Sequence, residues 1–116
     1  MTDHCYDPDG NPITLYEWAE LFEQRATTRD VAESWWRKRT VIAEAGCEVS
    51  TVWLGLDHRF GFTGPGKPLI WEAMIFGGDH DGDQYRYATR GEAYDHHEQL
   101  VREIRAEHEA RVENGG

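Results

Sequence analysis

The hydrophobic period of this chain changes twice, and those two changes restrict the folds open to it. Leu15, Trp18, Ala19 and Phe22 recur at helical spacing behind Thr14 and Glu17, a pair that can form a capping box, so residues 14–25 are predicted to be an amphipathic helix. From Trp35 the pattern becomes strand-like. Trp36 to Glu44 is rich in Thr, Val and Ile, Cys47 to Leu56 is richer still, and Ala45-Gly46 between them suggests a hairpin. A glycine- and proline-rich loop, Arg59 to Pro68, separates these from a third strand over Leu69–Phe76. Gly77 to Asp83 is then a turn and Tyr85–Ala88 a short fourth strand. The helical period returns behind a second capping-box pair, Thr89 and Glu92. Ala93, His97, Leu100, Val101, Ile104 and His108 line one face of a long helix ending near Val112. Asp9-Gly10 lies between short apolar flanks and signals a tight turn, while 27–34 is polar and fits a loop or a short helical turn.

Helix, four meandering strands and helix describe an α+β domain: a four-stranded antiparallel meander with an N-terminal and a long C-terminal helix packed on one face. The 116 residues suit a single domain spanning 1–116, with the tips 1–4 and 113–116 expected to be mobile. Five tryptophans among 12% aromatic residues set the chain apart from disordered acidic proteins. No run approaches the ~20 apolar residues of a membrane helix, so no membrane partner is expected. The amino terminus, Met1 to Pro12, lacks the pattern of a signal peptide, and Cys5 and Cys47 follow no metal or redox spacing. A cytoplasmic location is the expectation.

The charge of -10 is unevenly distributed. Residues 1–33 carry a net of -6, residues 34–78 a net of +1, and residues 79–116 a net of -5. Only Arg37-Lys38-Arg39 offers a basic cluster, and three bases leading into Thr40, Val41 and Ile42 fit a solubilised strand edge better than a phosphate tract. Direct nucleic-acid binding is disfavoured, whereas docking on a basic partner or imitation of nucleic acid remains open.

Alternation in 47–58 puts Ser50, Val52, Leu54, Leu56 and His58 on one face, taken as the core face, with His58 at the mouth of the next loop. In 69–76, Glu72 interrupts the apolar set Ile70, Met74 and Phe76. A buried carboxylate needs a partner, and His97, in the middle of the last helix's stripe, is the candidate. His58, Glu72 and His97 together could form a general base with an orienting carboxylate, or a divalent metal site. The alternative is a satisfied structural pair that fixes the helix register. Asp7-Pro-Asp-Gly-Asn and Asp79-His-Asp-Gly-Asp resemble the start of a calcium loop, but the glycine is misplaced and the bidentate glutamate missing, so both fit turns. His96-His97 lacks zincin spacing, and no phosphate loop, nucleophile elbow or dinucleotide pattern occurs. No cofactor is therefore expected, a divalent metal being the alternative. Trp53, Trp71, Tyr85 and Tyr87 are expected on the sheet face away from the helices, as an exposed binding patch or homodimer face unless the amino-terminal hairpin or the glycine loop covers it.

The strings Val49-Ser-Thr-Val-Trp-Leu-Gly-Leu-Asp-His58, Pro68-Leu-Ile-Trp-Glu72, Met74-Ile-Phe-Gly-Gly78 and Tyr85-Arg-Tyr-Ala-Thr89 resemble a group of small uncharacterised proteins of actinobacterial phages and prophages. Tyr6-Asp, Asp9-Gly-Asn-Pro-Ile13 and the Trp18 helix fit the same pattern. The resemblance spans most of the chain, matches 27–39 least, and brings no functional residues with it. It implies a phage or prophage origin and the cytoplasm of a bacterial host cell. The leading expectation is a non-catalytic accessory protein that binds a host or phage component through its aromatic sheet face or acidic surface. The alternatives are a metal-dependent hydrolase or nuclease built on His58, Glu72 and His97, and a nucleic-acid mimic.

Overall fold

The structure, a computed structural model, describes residues 5–56 and 68–115. The amino terminus forms a small hairpin of β1 (Cys5–Tyr6) and β2 (Pro12–Ile13). The Asp7 carboxylate accepts the backbone N–H groups of Asp9 (3.0 Å) and Asn11 (2.9 Å), so this acidic stretch is a side-chain-stabilised turn. Thr14 then caps α1 (Leu15–Ala26). Its hydroxyl accepts the N–H of Glu17, whose carboxylate returns to the N–H of Thr14, and the capping box is complete.

The sheet is a meander, β3 (Arg37–Ile42), β4 (Cys47–Trp53), β5 (Trp71–Phe76) and β6 (Gln84–Tyr87), with neighbours paired antiparallel in chain order. A 3-10 turn over Ala43–Ala45 joins β3 to β4, and Gly46 takes the left-handed conformation that ends it. Thr89 opens α2 (Arg90–Gly115), accepting the Glu92 N–H at 3.1 Å and donating to the Glu92 carboxylate at 2.9 Å. The fold is α+β, with α2 crossing all four strands and α1 packed on the same side at the Trp53 end. Among the described residues, no helix is long and apolar enough to cross a membrane.

Alternation sets which side of the sheet is buried, and here it differs from the sequence expectation. Cys47, Val49, Thr51 and Trp53 of β4 face the helices and are buried, while Ser50 and Val52 lie on the other side. On β5 the buried set is Trp71, Ala73 and Ile75, so Glu72 and Met74 are also on the open side. Both faces of these strands carry aliphatic residues, and a polar Thr51 disguised the core face. Against that face α2 buries Ala93, Leu100, Val101 and Ile104, each of the larger ones worth about 2 kcal/mol by area. Beyond Ile104 the helix runs on, with Arg111 pairing Asp79, Arg105 reaching Glu44 at 3.5 Å, and Glu107 meeting His80 at 2.8 Å.

At the other end Trp18, Leu21 and Phe22 of α1 pack around Trp36, Trp53, Ile70 and Trp71. Gly55 makes this fit possible. It has a φ of 74°, and a Cβ there would lie 2.4 Å from the Trp53 ring and 2.6 Å from that of Trp18. Gly55→Ala should therefore cost about 2–4 kcal/mol, strain and overlap combined. Gly82→Ala, at a φ of 88° but in open space, should cost only about 1 kcal/mol. Urea unfolding midpoints of the two variants test the difference, and equal midpoints would contradict the packing argument.

Candidate functional site

His97 is fully buried in the middle of α2. Its Nε2 lies 2.8 Å from the Thr40 hydroxyl on β3 and its Nδ1 2.7 Å from the Thr51 hydroxyl on β4. A neutral imidazole has one donor and one acceptor nitrogen, and two rotatable hydroxyls satisfy both in either tautomer. Burial, reinforced by the nearby Lys38 ammonium, pushes the His97 pKa down to about 4. Lys38 in turn bridges Glu98 on α2 (2.6 Å) and Glu33 (3.5 Å), and the hydrogen bond to Glu98 raises its own pKa. With both ring nitrogens engaged by hydroxyls and the ring itself fully buried, His97 has no lone pair to offer a substrate proton or a metal. It acts as a positioning residue of the fold.

Glu72 is not its partner. Glu72 pairs across the ladder with Arg86, at 3.0 Å to Nη2 and 3.2 Å to Nε, on the opposite side of the sheet. The expected Glu72–His97 contact is thereby replaced by two separate arrangements, because the register puts Thr51, and not Glu72, under the helix. His58 lies outside the described residues. The Asp79–Asp83 stretch is a turn, in which the Asp81 carboxylate accepts the Gly77 N–H at 2.7 Å. Among the described residues, no group of three or more His, Cys, Asp or Glu side chains is arranged to hold a metal ion.

The aromatic residues also change sides. Trp53 and Trp71 are fully buried on the helix-facing side. Their indole N–H groups donate to backbone carbonyls of the amino-terminal segment, Trp53 to Tyr6 (3.1 Å) and Trp71 to Pro8 (3.3 Å), so the hairpin does fold over them. Tyr85 and Tyr87 share that side and are half-buried. The Tyr87 hydroxyl meets His96, and Tyr85 stands edge-on to the same ring. None of the four is presented as an exposed patch.

What lies open is the other face. Its rows across the sheet are Val41, Glu48 and Phe76, then Arg39, Ser50, Met74 and Gln84, with Arg37, Val52, Glu72 and Arg86 beyond. Val41 is 55% exposed and Phe76 48%. They border a shallow groove that Arg39, Ala43 and Glu48 also line. Arg39 pairs with Glu48, and Arg86 with Glu72, within a chain of net charge -10, while Arg37 at the far end of β3 turns to the end of α1. The alternation of 69–76 suggests that Phe76 faces the core, and nothing in the sequence assigns a face to Val41. The chain matches no protein-family model, no curated protein and no solved structure.

The His97 geometry fixes a pH dependence. The unfolded histidine takes a proton near its ordinary pKa of 6.5, while the folded one stays neutral down to about 4. Between those values the unfolded chain binds more protons, so this group lowers stability as pH falls, by about 1.4 kcal/mol per pH unit. Chemical denaturation at stepped pH should show this slope in wild type and its loss in His97→Gln. Thr51→Val, which strips one ring nitrogen of its partner, should cost about 1–3 kcal/mol at neutral pH.

Proposed function

We propose that this chain is a non-catalytic accessory protein that docks a basic protein partner through the open face of its sheet. The observation that carries the reading is the exposed pair Val41 and Phe76, which flank Glu48 in one row of the open face, where Glu48 is itself paired with Arg39. Burying this end of the face removes apolar area from water while Glu48 keeps its Arg39 partner. The net charge of -10 supplies long-range attraction for a positively charged partner and repels a second copy. The resemblance to phage and prophage proteins supports a partner drawn from the host or the phage, and a cytoplasmic encounter.

Site-specific photocrosslinking in the native cell tests this. A photoreactive phenylalanine analogue in place of Phe76 should give one adduct with a basic protein, and the same analogue in place of Ala106, exposed on α2, should give none. With the purified partner, Val41→Asp should weaken binding by about tenfold or more, and association should slow as salt rises. An adduct with a second copy of the chain, or none at position 76, would overturn the reading.

A further inference from the structure

Most cations among the described residues of this acidic chain have carboxylate partners. Lys38, Arg39, Arg86, Arg90, Arg105 and Arg111 each form an ion pair. A group where α1 ends departs from that pattern. Arg25 stacks its guanidinium on the Phe22 ring, 4.0 Å from the centroid, and donates from Nη1 to the Trp53 carbonyl at 2.9 Å. Arg37, at the start of β3, reaches back to the Arg25 carbonyl at 3.5 Å. The Nε–H groups of both are buried with no hydrogen-bond partner. Neither makes an ion pair with a described carboxylate. Burial and then the Arg37 charge push the Arg25 pKa down, and burial and then Arg29 do the same to Arg37, against which Asp30 and Tyr94 pull upward.

We propose that Arg25, Arg29 and Arg37 form a binding site for a phosphate group carried by a ligand. Three guanidiniums against the single carboxylate of Asp30 leave a local charge of +2, which matches a phosphate monoester at about -2 and exceeds what one carboxylate neutralises. Arg25 and Arg37 each spend one Nη on a backbone carbonyl, which fixes their planes and leaves the other Nη for the ligand. Such preorganised forks suit the tetrahedral oxygens of phosphate. The site lies at the opposite end of β3 from Val41 and does not depend on the sheet-face reading.

Arginine Nε–H resonances followed during titration with inorganic phosphate, at constant ionic strength set by chloride, test the proposal. The Arg25 and Arg37 signals should shift and saturate with phosphate and stay in place with acetate. Arg37→Gln should weaken phosphate binding by about tenfold or more, the effect of losing a charge-assisted partner, while Arg105→Gln should leave it unchanged. Equal, unsaturated shifts with both anions would mean ionic screening alone and overturn the site. Saturation by acetate in preference to phosphate would make it a carboxylate site and overturn the proposed ligand. The wild-type titration decides between these outcomes even where Arg37→Gln does not fold.

Discussion

Apolar contact between a helix and a sheet is non-directional, and α2 could slide by a turn along its own stripe with little loss of buried area. The imidazole of His97 removes that freedom. Its two nitrogens meet hydroxyls on adjacent strands, and a displacement of one turn would strand the fully buried imidazole and Thr51 hydroxyl without partners. Lys38 and Glu98 repeat the link between β3 and α2 at the rim. The position of α2 is thus set by directional bonds, and the burial of Leu100, Val101 and Ile104 follows from it.

With α2 so placed, the two faces of the sheet divide their roles. One is a core of tryptophans and aliphatic side chains, in which the indole N–H groups of Trp53 and Trp71 are satisfied by carbonyls of the amino-terminal hairpin. The hairpin is therefore tied to the end of β4 both by the Tyr6 N–H bond to the Gly55 carbonyl and by the side chains it covers. The other face keeps its apolar residues among paired charges, the compromise expected of an antiparallel sheet with one side in water.

The elements were legible where the signal is local. The Thr14 capping box, the side-chain cap at Thr89, the turn at Ala45-Gly46 and the order of the four strands follow from neighbouring residues, and the structure bears them out; at Thr89 the reciprocal bond of the expected box is replaced by one between the two side chains. The assignment of faces was not legible, because Val49 and Trp53 alternate with Val52 and Leu54, and either set could have been the core. His97 was recognisable as a buried polar group, but its partners lie 57 and 46 residues away and depend on strand register. The basic run at 37–39 does sit on an edge strand, yet its members diverge: Lys38 reaches α2, Arg39 pairs with Glu48, and Arg37 turns to the end of α1. Arg25 and Arg29 resemble ordinary helix-surface residues until that end is placed against β3 and β4.

The run of α2 past Ile104 has a hydrodynamic consequence. Eleven helical residues at 1.5 Å each extend about 16 Å past the last buried side chain. The radius of gyration is 16.2 Å with extents of 60 × 33 × 20 Å, against the roughly 13 Å of a sphere-like domain of this length. A single copy thus diffuses and elutes like a globule of roughly 190 residues by the same scaling. Its retention on a sizing column overstates its mass, and light scattering is the measure that separates a lone elongated chain from a pair.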